Sequence, residues 1–175
     1  MVNAASPTQT PRLAQAWAVL QTVLDPEVPV VSVCELGIVR DVLLQGSGLH
    51  VVLTPTYSGC PATELIESNV VAALEAAGFS PVSVTLQRAP AWTTDWISAE
   101  GKTKLRDYGI APPGPVASGE GVVMRFTPRH KAPALDCPRC GSANTERISA
   151  FGSTACKALY RCLACKEPFE HFKPL

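Results

Sequence analysis

Seven cysteines in a chain of 175 residues are its most chemically capable side chains, and four of them fall into two pairs. Cys137-Pro-Arg-Cys140-Gly and Cys162-Leu-Ala-Cys165 stand 21 residues apart. Two residues between paired cysteines let a tight turn aim both sulfurs at one ion, and two such turns close a tetrahedron around it. Four protein ligands leave no open position for a substrate, so the expected role of Cys137, Cys140, Cys162 and Cys165 is structural, with zinc as the metal. Iron is the alternative, because thiolate softness alone does not separate zinc from iron or an iron-sulfur cluster.

Cys60 is a thiol of another kind. It precedes Pro61-Ala-Thr-Glu-Leu-Ile-Glu, the start of a helical pattern. A helix beginning at Pro61 puts Cys60 at the N-cap, where unpaired backbone N–H groups and the helix dipole favour a thiolate. Cys60 is therefore the candidate functional thiol, for metal binding or nucleophilic attack; the plainer reading is a small residue packed at a loop-to-helix junction. Asp25, in Asp25-Pro-Glu-Val-Pro29, is the candidate supporting carboxylate, although Asp-Pro is also an ordinary turn starter. Cys34 reads as an inert residue in an extended segment. Cys156 reads as a small buried residue of the tail's sheet, with a spare ligand as the alternative. Trp92 and Trp96 suit either a partner groove or a plug for a small core. The three histidines show no spacing that suggests a triad, and no Gly-rich phosphate loop is present, so no catalytic residue is assigned.

Thr10 to Leu24 has Pro11 in the first turn and apolar residues at 13, 16, 17, 20, 23 and 24, the spacing of an amphipathic helix. Gly37 to Gln45 and Leu49 to Thr54 are β-rich runs around Gly46-Ser-Gly48, which predicts a hairpin. A helix follows from Pro61 to Ala77, closed by Gly78, then a strand over Val82–Leu86 and a short helix over Trp96–Tyr108. The order α-β-β-α-β-α predicts an α+β chain: a small domain over 1–110 with helices on one face of a mixed sheet, a Pro/Gly-rich linker over 111–135, and a four-cysteine ribbon over 136–175.

A hydrophobic content of 46% argues against disorder, and no apolar run reaches the ~18 residues that span a bilayer. Paired Cys-x-x-Cys motifs, an odd cysteine count and no basic-then-apolar leader at Met1 point to a reducing, cytoplasmic setting. The zero net charge is unevenly placed: residues 1–110 carry six Lys/Arg against ten Asp/Glu (6 − 10 = −4), and 111–175 carry nine against five (9 − 5 = +4). A nucleic-acid-binding ribbon is the second function class on that ground, weakened because only Arg125, Arg129 and Lys131 cluster. A thiol enzyme built on Cys60 is the third, and no matched His base is visible for it.

Asp25-Pro-Glu-Val-Pro, Glu35-Leu-Gly-Ile-Val-Arg-Asp41, Thr54-Pro-Thr-Tyr-Ser-Gly-Cys-Pro-Ala62 and Gly109-Ile-Ala-Pro-Pro113 resemble the SufT-like metal-sulfur cluster assembly family over about residues 12–113. With Trp92-Thr-Thr-Asp-Trp-Ile97, Phe151-Gly-Ser-Thr-Ala-Cys-Lys157 and Cys162-Leu-Ala-Cys-Lys-Glu-Pro-Phe169, the whole chain is similar to the D-subunit family of bacterial phenylacetyl-CoA epoxidase systems. The resemblance implies a non-catalytic accessory role: maturing or maintaining the iron or iron-sulfur centres of a di-iron oxygenase or its reductase, which are then the partners, alone or with a homodimer. It places the family's functional thiol on Cys60, with transient iron or a cluster as cargo, and its Asp-Pro-Glu motif on Asp25. Cys34 departs from the residue type that relatives place ahead of Glu35-Leu-Gly.

Overall fold

The computed structural model describes residues 9–57, 59–114 and 135–174. Its elements are α1 (Gln9–Leu20), β1 (Val39–Gln45), β2 (Gly48–Leu53), α2 (Thr63–Ala76), β3 (Val82–Leu86), a 3₁₀ turn (Thr94–Trp96), α3 (Ala99–Tyr108), β4 (Ile110–Ala111), β5 (Thr145–Ser149), β6 (Lys157–Cys162) and β7 (Pro168–Phe172). The chain divides into two compact units, one of Met1–Trp92 with Trp96–Gly101 and one of Thr93–Asp95 with Lys102–Leu175.

In the first unit the sheet runs β1-β2-β3, with β1 antiparallel and β3 parallel to β2. The predicted hairpin forms: Gln45 pairs with Gly48 across a two-residue turn, and Gly46 takes φ +62°, which glycine adopts without strain. Leu49, Val51 and Leu53 alternate into the core, and Val82, Val84 and Leu86 lie opposite them in register. Ile66, Val70 and Leu74 form the buried stripe of α2, each one turn beyond the last. α1 packs on β1, α2 on β3 and the helices on each other, which sets both on one face of the mixed sheet.

α1 stops at Leu20, short of the expected Leu24. The N–H groups of Thr22 and Val23 reach back only three residues, to Val19 and Leu20, and Thr22 Oγ1 takes the Val19 carbonyl at 2.7 Å, so the last turn tightens and ends. Leu24 is then drawn into a bridge with Ser32. The helix expected from Trp96 starts at Ala99. Ser98 Oγ accepts the Gly101 N–H at 2.9 Å as its cap, after the separate turn at Thr94–Trp96. Trp92 is a core plug, 5% exposed, and its Nε1–H donates to the Leu36 carbonyl at 2.9 Å.

The second unit holds a sheet in the order β4-β7-β6-β5, antiparallel except for β4 beside β7. Ile110 and Ala111 pair with Glu170 and His171, so the chain enters this sheet before the Pro/Gly-rich stretch begins. Of the expected linker, residues 115–134 lie outside the described residues, and Arg125, Arg129 and Lys131 with them.

Candidate functional site

The two cysteine turns are built alike. In the first, the Cys137 N–H donates to the Ser142 carbonyl at 3.0 Å; in the second, the Cys162 N–H donates to the Glu167 carbonyl at 3.0 Å, the same five-residue reach. The residue after the second cysteine of each pair takes positive φ, Gly141 at 73° and Lys166 at 68°. That left-handed step folds each loop back so that both its sulfurs face one point.

The four sulfurs lie within 4.8 Å of one another, with Cys137 Sγ 3.8 Å from Cys165 Sγ and Cys140 Sγ 3.6 Å from Cys162 Sγ. Zinc–thiolate bonds of about 2.3 Å in a tetrahedron set neighbouring sulfurs about 3.8 Å apart, so the residues present fit the ion. Cys137 and Cys162 are buried while Cys140 and Cys165 face outward. The Cys165 N–H, aimed at Cys162 Sγ from 3.5 Å, leads the group of donors that holds the Cys162 thiol down to about 6. Cys165 goes the other way, to about 12: its own backbone donor at Glu167 is outweighed by burial and by the sulfurs of Cys140, Cys162 and Cys137. Without a cation the cluster cannot carry four adjacent thiolates, and a divalent ion supplies the missing charge.

Around this centre β6 and β7 bury Tyr160, Phe169 and His171. Tyr160 stacks on Phe169 at 5.8 Å and meets His171 edge-on at 5.6 Å. Lys157, 2% exposed, is neutralised by Glu170 at 2.9 Å. Burial works to raise the Glu170 carboxyl, but Lys157 and the Ser153 N–H at 2.5 Å outweigh it and hold it below the usual range. This pair pins the Gly152–Ser153 loop to β7. No local sequence signal announces it, because its partners are far apart in the chain. Cys156 is buried beside Thr154 Oγ1 at 3.0 Å and is not among the four clustered thiols.

Cys60 lies in the first unit and is half-buried. α2 begins at Thr63 with Ala62 at the N-cap, so Cys60 stands two residues outside the cap. The expected helix-start placement is corrected: the Cys60 N–H donates to the Tyr57 carbonyl at 3.2 Å, and the Cys60 carbonyl accepts the Thr63 N–H at 3.3 Å and the Thr63 hydroxyl at 2.9 Å. Pro61 therefore sits in a turn that precedes the helix. The helix-dipole argument fades over a single turn and does not carry Cys60 at that position.

Asp25 is buried, and its Oδ1 accepts the N–H groups of Glu27 at 2.9 Å and Val28 at 2.8 Å, the Asx turn that Asp-Pro predicts. Ser32 and Glu35 cap one another: Glu35 Oε2 accepts the Ser32 N–H at 2.7 Å, and Ser32 Oγ accepts the Glu35 N–H at 3.1 Å. This reciprocal box, legible as Ser-x-x-Glu, escaped the sequence reading. Cys34 lies inside it, and burial followed by the Glu35 charge pushes its thiol up to about 12. A thiol so raised is a weak nucleophile at neutral pH.

Comparison with known proteins covers both units. The family model described as iron-sulfur cluster assembly protein matches residues 13–86, and the PaaD zinc beta ribbon domain model matches 124–173. The chain is 48% identical over 163 residues, 93% of each chain, to an Escherichia coli (strain K12) protein named as the D-subunit of a "Putative 1,2-phenylacetyl-CoA epoxidase". It is 35% identical over 88 residues, 49% of this chain and 83% of the other, to an Fe-S protein maturation auxiliary factor of Porphyromonas gingivalis. Among solved structures, a domain of unknown function DUF59 from Bacillus anthracis aligns with TM-score 0.52 and 28% identity, over 56% of this chain and 94% of that one. A match of that extent, carried through the cysteine ribbon, establishes that the chain belongs to the D-subunit family of 1,2-phenylacetyl-CoA epoxidases.

Proposed function

We propose that the protein is a non-catalytic accessory subunit that matures or maintains iron or iron-sulfur centres in the oxygenase or reductase of a multicomponent phenylacetyl-CoA epoxidase. The observation that carries this reading is the end-to-end similarity to an epoxidase D-subunit, in a chain whose first part also matches iron-sulfur assembly proteins. In this reading Cys60 transiently holds iron or a cluster as cargo, and Asp25 shapes the turn of its own Asp-Pro-Glu motif. The four-thiolate ribbon holds zinc and docks the protein on its client. A half-buried thiol outside any closed ligand set suits transfer better than a cage of four thiolates does. One cysteine is too few ligands for a stable cluster, so a second copy, a client residue or a small thiol completes the site. Unoxidised cysteines at both places call for a reducing, cytoplasmic setting.

The nucleic-acid reading is weakened in the described ribbon, where Arg161 is paired with Glu146 and Lys157 with Glu170, so two of its basic side chains are engaged internally. The test is the Cys60→Ser variant, co-expressed with the oxygenase and reductase subunits. It is expected to keep its fold and its ribbon metal and to yield client protein poor in iron; client iron and activity at wild-type level would refute the assignment.

A further inference from the structure

On the first unit, α2 and β3 line an open groove of about 570 Å³ whose walls include Glu64, Glu67, Ser68, Val71, Glu75 and Val84. We propose that this groove takes an extended, cationic peptide segment of a partner protein, which adds to the sheet as a strand beside β3. The proposal goes beyond the assembly role and rests on different residues.

Backbone chemistry supplies the first argument. The Leu49 N–H donates to the Pro81 carbonyl and the Gln87 N–H to the Leu53 carbonyl, so residues 81, 83, 85 and 87 turn their main-chain groups toward β2. Alternation leaves the N–H and C=O groups of Val82, Val84 and Leu86 directed outward. Among the described residues no strand pairs with that edge. The opposite edge of the same sheet is guarded: β1 carries a bulge between Val39 and Asp41 and bears charged Arg40 and Asp41. β3, Val-Ser-Val-Thr-Leu, has no bulge, charge or proline within it. An edge without those devices is a template for strand addition.

Charge and length supply the second. Glu64, Glu67 and Glu75 lie along one flank of α2 with Ser68 and Val71 between them, and none is ion-paired among the described residues. From Glu64 to Glu75 the helix rises about 16 Å, and a five-residue strand spans about 17 Å, so a strand on β3 runs the length of the stripe. Lys or Arg at alternate positions of that strand would face the carboxylates, while its backbone meets Val82, Val84 and Leu86. A second copy of this chain is the poorer occupant, because two β3 edges brought together bring two glutamate stripes together.

The test uses the full metal-loaded chain and a capped Lys-Thr-Lys-Thr-Lys-Thr-Lys peptide, with its Glu-for-Lys counterpart and a backbone N-methylated form. Binding is followed by amide chemical shifts and by calorimetry. Expected are shifts concentrated at Val82, Val84, Leu86 and residues 64–75, no binding of the Glu peptide, and affinity lowered about tenfold or more by N-methylation and by Glu64→Lys/Glu67→Lys. Those two glutamates are outside the buried stripe of α2, so the double variant is expected to fold. Shifts spread elsewhere, or N-methylated peptide bound equally well, overturn strand addition. Unchanged affinity in the double variant overturns the carboxylate stripe. A dimer whose interface maps to β3 overturns the choice of occupant.

Discussion

Leu20, Val31, Val33, Val51, Val70 and Leu74 of the first unit are all 0% exposed and come from both helices, the sheet and the loop between α1 and β1, a continuous apolar core. The buried cluster around the cysteine turns of the second unit is Ala111, Cys137, Ala158, Tyr160, Cys162 and Phe169, two of whose six members are metal-ligand candidates. One unit is organised by removing apolar surface from water; the other also gathers four thiols whose arrangement fits an ion. The difference separates the thiols by place. Sulfurs gathered into a closed set of four are poor carriers, and Cys60 lies outside that set, half-buried in the other unit.

Removing the ribbon's ion breaks this comparison most sharply. Structural zinc sites contribute roughly 10 kcal/mol or more to folding, far beyond any single side chain in the chain. Cys137→Ser, or chelation of the wild type, is expected to collapse amide dispersion over residues 135–174 and abolish protection from hydrogen exchange there. The amides of Val51 and Val70 should stay protected. Loss of protection in both units together would show that the apolar core of the first does not stand without the metal.

How much of this was legible depended on how local each signal is. The Cys-x-x-Cys turns and the Gly46 hairpin are complete within a few residues, and both form as expected. The Ser32–Glu35 box is equally local, written in the chain as Ser-x-x-Glu. The placement of Cys60 failed because Pro is compatible both with a helix's first turn and with the turn before it; Thr63, reaching back to the Cys60 carbonyl, decides between them. Three features have no local signal at all: β4 against β7, Lys157 against Glu170, and the open edge of β3. Each is a relation between segments that only the fold brings side by side.

A smaller effect separates the units by pH. His171 is 5% exposed, its Nε2 has no hydrogen-bond partner among the described residues, and burial lowers its pKa from 6.5 to about 4. The unfolded chain therefore binds a proton between pH 6.5 and 4 that the folded ribbon refuses. Stability is complete above pH 6.5 and falls as pH drops toward 4; at pH 5 the loss relative to pH 7 is about 2 kcal/mol. Hydrogen exchange at fixed zinc should show this slope in the ribbon and not in the first unit. His171→Leu should flatten it, leaving only the acid sensitivity of the thiolates; an unchanged slope would assign all of it to the metal site.

The finest contrast lies inside the ribbon, between its two turns. Gly141 and Lys166 occupy the same position after their cysteine pairs and share the left-handed backbone, which costs a side-chain-bearing residue roughly 1 kcal/mol. Lys166 recovers part of that through Nζ, which donates to the Leu163 carbonyl at 2.7 Å on an exposed surface. A surface hydrogen bond to a charged group competes with water and does not cover the whole cost. Lys166→Gly is therefore expected to stabilise the metal-loaded ribbon slightly, by about 0.5 kcal/mol, after allowing for the greater freedom of glycine in the unfolded chain. Gly141→Lys should destabilise by about as much, since a side chain there takes on the same left-handed backbone. Thermal melts of the two variants at saturating zinc read the difference. If Lys166→Gly melts well below wild type, the Leu163 contact rather than the backbone dominates that turn, and the two cysteine loops are alike in path but not in what holds them.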